Sequence, residues 1–230
     1  MKLVKVSMAL ALCASLFVSS CNMSNTGKGA LIGTGGGGAL GAGIGALIGG
    51  GKGAAIGAGV GAAVGAGAGA LIGNKMDKQQ KELEKELANA KVEQTTDANG
   101  LQAIRVTFDG GILFPTGKWT INSGAQAELK EFAQSLAANP LTDVKIIGYT
   151  DNTGGMEINQ KVSTNRADAV KTFLHNQGIA NSRLNAVGLP MQDYVASNET
   201  AAGRAQNRRV EVFIYASEQM IKDAEAGTLK

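Results

Sequence analysis

Hydrophobic and polar residues follow three different patterns along the 230-residue chain. Residues 29–73 are almost all Gly, Ala, Ile, Leu or Val, and residues 74–96 interleave lysine with acidic residues. After residue 100, short apolar runs alternate with amphipathic segments. Only this last region has apolar residues at the spacing of strands and helices that pack together. Its roughly 130 residues are enough for one ordinary globular domain.

The pattern after residue 100 predicts an α/β fold. Residues 101–108 alternate as a strand does, and Asp109-Gly110-Gly111 predicts a hairpin turn into a second strand at residues 112–114. A helix is predicted at residues 123–138, where Pro140 follows its end. The later elements are a strand at 144–149, a helix at 156–177, and strands at 183–188 and around Val210, Val212 and Ile214. Strands joined by helices predict an α/β sandwich with a mixed sheet.

The polar segments on either side of this domain carry few apolar residues. Residues 74–96 predict a solvated helical spacer with a thin apolar seam, and a short coiled coil is the alternative. The C-terminal residues predict a loose helix or tail. The predicted divisions are a signal peptide (1–20), a lipidated N-terminus (21–28), a glycine zipper (29–73), a charged helical linker (74–99), the globular domain (100–216) and a polar tail (217–230).

Twelve glycines stand at four-residue spacing between residues 29 and 73. Each glycine inside a helix costs about 0.8–1 kcal/mol relative to alanine, which argues against a free helix in water. In a bilayer the helix becomes obligatory, and small residues let two backbones approach closely. Lys52 divides the segment into uncharged runs long enough to span a bilayer. The pattern predicts a transmembrane helical hairpin, and a surface-lying or oligomeric zipper and a flexible spacer are the alternatives.

The first 20 residues have the layout of a secretory signal, with Lys2 and Lys5 before an apolar core. Val18-Ser19-Ser20-Cys21 resembles the lipobox of bacterial lipoproteins, which predicts acylation of Cys21 and cleavage just before it. An ordinary signal peptide with a chance cysteine is the alternative. Asn22 resembles the sorting residue of outer-membrane cargo. Cys13 lies in the discarded segment, so no disulfide is expected.

Composition excludes several classes of function. The net charge is only +3 and aromatic residues make up 4% of the chain, so no basic, aromatic surface for nucleic acid is expected. With one histidine and one cysteine left after processing, neither a metal site nor Cys/His nucleophilic chemistry is expected. We therefore predict no enzyme and no cofactor.

The candidate chemistry lies where the strand at 144–149 ends. Asp151 follows this strand, at the sheet end where α/β proteins usually place ligands. Arg166 lies beside the apolar stripe of the next helix and needs an anionic partner, for which Asp151 is the candidate. Asn159 and Ser163 lie on nearly the same helical face. Such a group suits a zwitterion, whereas an internal Asp–Arg bridge between strand and helix is the structural alternative.

Many spaced residues carry a resemblance to the OmpA-like (OmpA/MotB/Pal) C-terminal domain. The resembling segments are Gly148-Tyr149-Thr150-Asp151-Asn152-Thr153-Gly154, Asn159, Val162-Ser163, Arg166-Ala167, Val170, Gly178, Arg183, Gly188, Asn198, Thr200, Gly203-Arg204 and Asn207-Arg208-Arg209-Val210-Glu211-Val212. The resemblance implies a two-layer sandwich with a mixed, four-stranded type of sheet. With the lipobox and the glycine zipper in front, the whole chain is similar to outer-membrane lipoproteins of the YiaD type.

The resemblance also implies a function, which is noncovalent binding of peptidoglycan through the diaminopimelate of its stem peptide. Asp151 and Arg166 would then be the principal contacts, Asn159 and Arg209 secondary contacts with Arg208 as the alternative to Arg209, and Thr150 would orient the loop. Pro115 replaces an acid common in the family, and Pro190 and Tyr194 also depart from its pattern.

The predicted protein is therefore an outer-membrane lipoprotein that tethers the membrane to the cell wall. Its periplasmic domain would hold peptidoglycan, and lipid on Cys21 together with residues 29–73 would hold the membrane. Homo-oligomers through the zipper are a further expectation. The alternative is an oligomeric scaffold whose globular domain is only structural.

Overall fold

The structure is a computed structural model that describes residues 64–97, 100–115 and 117–230. The predicted signal peptide, Cys21 and the first nine of the twelve regularly spaced glycines lie outside the described residues. The end of the glycine repeat, the charged segment and the region predicted to be globular lie within them.

A mixed sheet forms one layer of the fold. Its strands are β1 (Ala90–Thr96), β2 (Gln102–Asp109), β3 (Thr142–Tyr149), β4 (Leu184–Leu189) and β5 (Arg209–Ala216). They lie in the order β1-β2-β5-β3-β4, with β3 and β4 parallel and the other neighbours antiparallel. The α/β class and the mixed sheet are confirmed. The sheet has five strands rather than four because residues 90–96 add an edge strand.

Helices form the second layer. They are α1 (Ala66–Glu86), α2 (Gly110–Leu113), α3 (Ser123–Ala138), α4 (Met156–Asn176), α5 (Ala201–Asn207) and α6 (Glu218–Glu225), with a 3-10 turn at Asn181–Arg183. The apolar sides of α1, α3, α4 and α6 share one core with alternate residues of the strands, such as Val106, Ile146 and Val212. Helices α3 and α4 begin and end within a residue of their predicted bounds.

The segment before residue 100 differs most from its prediction. Instead of a solvated spacer, α1 packs against the sheet and against α3 and α6, and its Ile72, Met76 and Leu83 are fully buried. The thin apolar seam is a packing face, because residues four and seven apart lie on the same side of a helix. The last residues of the predicted second membrane arm, 66–73, belong to this docked helix. Within the described residues, no helix has the length and low polarity needed to cross a bilayer.

Two smaller expectations are also corrected. The hairpin partner of β2 is β1, and residues 110–113 form helix α2 rather than a second strand. Asp109 caps this helix, since its Oδ1 accepts a hydrogen bond from the Gly111 amide at 2.6 Å. The C-terminal tail contains the predicted helix, but α6 buries Met220 and Ala224 instead of lying loose.

Candidate functional site

Asp151 lies in the loop that follows β3, and its carboxylate is held from two sides. Its Oδ1 accepts a hydrogen bond from the Thr153 amide at 2.8 Å, and its Oδ2 lies 2.6 Å from Arg208 Nη1. Burial of the carboxylate raises its pKa, but the hydrogen bonds from Arg208 and Thr153 more than offset this, so the pKa of Asp151 lies below its ordinary value. The site therefore holds a fixed negative charge at neutral pH.

Arg208 reaches Asp151 because its backbone is fixed at the end of α5. Its carbonyl oxygen accepts a hydrogen bond from the Gly110 amide at 2.8 Å. A side chain at Gly110 would collide with that carbonyl, so glycine permits this close approach of α2. The Arg208 side chain is 40% exposed, compared with 7% for Asp151, so the ion pair is open to solvent on the arginine side.

Arg166 projects from α4 into a position that is almost completely buried, at 5% exposure. Its guanidinium carbon lies 5.2 Å from the centre of the Phe114 ring, and its Nε donates a hydrogen bond to the Lys118 carbonyl at 3.2 Å. Burial and the charge of Arg208 lower the pKa of Arg166, and the charge of Asp151 opposes them. Its two Nη atoms form no hydrogen bond with any described residue. The stacked fork is therefore oriented and still able to bind an oxyanion.

The internal Asp151–Arg166 bridge, which was the structural alternative to a ligand site, is not formed in the described part of the chain, where Asp151 pairs with Arg208. The structure also separates the two neighbouring arginines. Arg209 lies on the opposite side of the sheet from α4, with its guanidinium carbon 3.8 Å from the centre of the Tyr149 ring. It is 4% exposed, and its Nε lies 2.7 Å from Glu211 Oε1. Arg208, which was the alternative to Arg209, is thus the arginine that lies next to Asp151.

Thr150 and Asn159 hold the two loops around this site. The Thr150 hydroxyl accepts a hydrogen bond from the Met191 amide at 3.1 Å, which fixes the loop after β4. Asn159 Nδ2 donates to the Thr153 carbonyl at 2.9 Å and so fixes the loop that carries Asp151. Both side chains are buried, at 3% and 6% exposure. Their contacts in the structure are with these loops.

Asn207 organises the third loop of the site, a role that was not predicted from the sequence. Its Oδ1 accepts hydrogen bonds from the amides of Val195 and Ala196, and its Nδ2 donates to the Ala196 carbonyl and to Asn198 Oδ1. Asn198 Oδ1 also accepts a bond from the Asn152 amide at 3.4 Å, so this network reaches the Asp151 loop. The signal for this role in the sequence was an asparagine directly before two arginines and an apolar strand.

Arg166, Arg208 and Asp151 thus lie together at the C-terminal end of strand β3 and carry a net positive charge. This arrangement can bind a carboxylate through Arg166, and Asp151 retains lone pairs for a cationic group. In residues 64–97, 100–115 and 117–230, no three His, Cys, Asp or Glu side chains are grouped as metal ligands.

Comparison with known families agrees with this geometry. Residues 113–208 match the model of the OmpA family. The chain carries an OmpA family domain. The match begins in α2, ends at Arg208, and contains Asp151 and Arg166. Residues 1–81 match a second model, described as a YMGG-like Gly-zipper, so the glycine zipper recognised in the sequence is also confirmed.

Individual relatives match about half of the chain. The chain is 44% identical over 111 residues to the probable lipoprotein YiaD of Escherichia coli (strain K12), which covers 47% of each chain. It is 38% identical to the peptidoglycan-binding protein ArfA of Mycobacterium bovis, over 49% of this chain and 34% of ArfA. The chain therefore spans half or less of the length of these relatives.

One solved structure shows the same fold. The cell wall anchor of the T6SS from Pseudomonas aeruginosa superposes with a TM-score of 0.51 and 26% sequence identity. The superposition covers 62% of this chain and 97% of that structure. It thus includes nearly all of the anchor, and it extends beyond the residues that match the OmpA family model.

Proposed function

We propose that the OmpA domain binds the stem peptide of peptidoglycan noncovalently and that lipid on Cys21 fixes the chain to the outer membrane. The protein is then a tether between membrane and cell wall, with its domain in the periplasm, and it is not an enzyme. The similarity to the peptidoglycan-binding protein ArfA and to the cell wall anchor supports this role for the domain, and the similarity to the probable lipoprotein YiaD supports a lipid anchor. The lipobox supports the lipid anchor.

The observation that carries the proposal is the state of Arg166. A buried guanidinium without an anion is costly, yet its two Nη atoms have no partner among the described residues. The stack on Phe114 and the bond to the Lys118 carbonyl fix the plane of the fork before any ligand binds. Such preorganisation reduces the entropy lost on binding. A ligand carboxylate would complete the site.

We infer that this carboxylate belongs to the side-chain end of diaminopimelate, which carries a carboxylate and an ammonium on one carbon. The carboxylate binds Arg166, and the ammonium binds Asp151, which keeps its bond to Arg208. Thr150 and Asn159 hold the loops that present these groups, and Arg208 adds positive charge at the rim. Lysine, the common replacement for diaminopimelate, lacks the side-chain carboxylate and leaves Arg166 without its anion.

The test is sedimentation of the purified full chain with isolated sacculi, followed by calorimetric titration with stem tetrapeptides. Arg166→Lys retains the charge but removes the fork, and we expect the affinity for the diaminopimelate peptide to fall about 10- to 100-fold, the equivalent of roughly 1.5–3 kcal/mol. Arg105→Lys, on strand β2 and away from the site, is the matched control.

Two outcomes distinguish the binding of peptidoglycan in general from binding through diaminopimelate. If wild type binds diaminopimelate and lysine peptides equally but still sediments with sacculi, the diaminopimelate contact is wrong and peptidoglycan binding stands. If Arg166→Lys and Asp151→Asn both sediment like wild type, the site does not hold the cell wall. Circular dichroism and thermal melting of each variant show whether it is folded.

A second role is suggested by the match of residues 1–81 to the YMGG-like Gly-zipper model. In this role the zipper associates with other copies and the chain supports an envelope assembly. Conversion of alternate zipper glycines to leucine then abolishes the oligomer, measured by chemical crosslinking, while peptide binding persists. Monomeric wild-type protein at all concentrations would exclude it.

A further inference from the structure

We propose that a groove beside Arg166, between Trp119 and helix α4, binds an N-acetylated amino sugar of the glycan strand. The groove has a volume of about 450 Å³ and is lined by the loop at residues 119–121, the start of α3 and one side of α4. This volume lies within the range of roughly 300–1,000 Å³ that is typical of small-ligand sites. The sugar subsite rests on the proposed function for its ligand, but it uses none of the residues of the peptide site.

Trp119 forms one wall of the groove and is 40% exposed. It is the only tryptophan of the chain, and part of its ring surface is open to a ligand. The C–H bonds on one face of a pyranose ring carry partial positive charge and are attracted to the negative face of an aromatic ring. An exposed tryptophan in a concave site is therefore a suitable platform for a sugar.

The opposite wall carries the polar groups that hydroxyl and acetamido groups require. Asn165, Asp168 and Thr172 follow one another at three- and four-residue spacing on the groove side of α4, and Gln126 joins them from α3. In the described part of the chain these four side chains form no hydrogen bond, so their donors and acceptors are available. Amides, a hydroxyl and a carboxylate together offer both donors and acceptors to a neutral polar ligand.

The charge of the lining argues against an anionic ligand. Among the described residues, no lysine or arginine lines the groove, and Asp168 is the only charged residue that does. A phosphate or a peptide carboxylate would meet this carboxylate without a compensating cation. Phe173, near the C-terminal end of α4, adds an apolar surface that suits the methyl group of an acetamide. The lining thus favours a neutral sugar ring.

The position of the groove connects it to the peptide site. Asn165 directly precedes Arg166 on α4, and Trp119 directly follows Lys118, whose carbonyl accepts the Arg166 hydrogen bond at 3.2 Å. The two sites therefore share one wall and one loop. In peptidoglycan the stem peptide is attached to a sugar ring, so a polymer with its peptide at Arg166 brings sugar rings within reach of Trp119.

The experiment is a fluorescence titration of the full chain with a peptide-free, uncharged glycan, the disaccharide of two N-acetylglucosamine units. Because Trp119 is the only tryptophan, its emission reports on the groove alone. We expect a saturable blue shift with wild type and an affinity about 10-fold weaker with Asp168→Ala. Glu131→Ala, an exposed carboxylate on α3 outside the groove lining, is the matched control and should bind like wild type.

Unchanged Trp119 emission at saturating disaccharide, or equal affinities for Asp168→Ala and wild type, would overturn the sugar subsite. The stem tetrapeptide is titrated separately by calorimetry. Peptide binding without glycan binding defeats this inference and leaves the proposed function intact. Glycan binding without peptide binding defeats the Arg166 site and supports the groove.

Discussion

Replacement of Leu83 by alanine tests whether α1 is part of the folded domain or a solvated spacer. Leu83 is fully buried in the core that α1 shares with the sheet. Truncation of a fully buried leucine costs about 2–5 kcal/mol, because apolar area is lost and a cavity remains. We expect the free energy of unfolding of the Leu83→Ala variant to fall by about 3 kcal/mol. In a solvated helix the same change costs nothing, since alanine is the better helix former.

The same helix offers a matched control in Leu71, which is 39% exposed. Leu71→Ala removes the same atoms from a site that is already partly in water, so we expect a loss below about 1 kcal/mol. The assay is urea unfolding of the purified full chain in detergent, followed by the fluorescence of Trp119. This probe lies in the OmpA domain and not in α1, so a shifted transition shows that α1 and the domain unfold together.

If Leu83→Ala and Leu71→Ala have the same urea midpoint and the same slope of unfolding, α1 is not docked on the domain. That result would restore the solvated spacer over residues 74–96. The outcome also matters for the tether, because a docked α1 moves rigidly with the peptide site. A spacer in the proposed tether between membrane and cell wall would then not include α1.

Three further perturbations test the architecture around the site. Gly148→Ala places a methyl group against the Ser163 carbonyl, so we expect a loss of about 1–3 kcal/mol in urea unfolding and weaker peptide binding, because α4 must move away from β3. Arg183→Ala removes hydrogen bonds to the carbonyls of Leu136, Asn139 and Thr142 and should cost about 2–4 kcal/mol, partly recovered in Arg183→Lys; an unchanged unfolding midpoint would contradict this. The pKa of Asp151 is lowered by folding, so its contribution is present above its unfolded pKa of about 3.9 and is lost as pH falls through the lower folded value. The stability difference between wild type and Asp151→Asn should therefore be constant from pH 7 to about pH 5 and decrease as pH falls below about pH 4; a difference at pH 3 as large as that at pH 7 would refute this.

Arg208 lies just before β5 and Arg209 is its first residue, and the sequence predicted the place of only one of them. Strand alternation placed Arg209 opposite the apolar row of Val210 and Val212, and the structure confirms this position on the Tyr149 side of the sheet. The structure places Arg208, and not Arg209, next to Asp151. Arg208 lies outside the strand, where alternation makes no prediction. Its place is set by the turn from α5 and by the contact with Gly110.

Edge strand β1 shows a second limit. Its sequence is polar and only partly buried, so it has no alternating apolar pattern that predicts a strand. It forms because β2 offers unpaired backbone groups along one side, and the antiparallel register from Ala90 to Thr96 satisfies them. The apolar seam of helix α1 was visible in the sequence, but a seam does not show which surface the helix packs against.

The order of residues was enough to predict the α/β class, the positions of α3, α4, β3 and β5, the glycine zipper, and Asp151 and Arg166 as site candidates. These features depend on local periodicity and on motif spacing, which are present in the order of the residues. Four features became visible in the folded chain: α1 is docked, β1 completes the sheet, Asp151 pairs with Arg208, and Trp119 faces α4 across a groove. Each of these contacts joins residues distant in the chain, and their free energy depends on which surfaces meet, a property that no single segment contains.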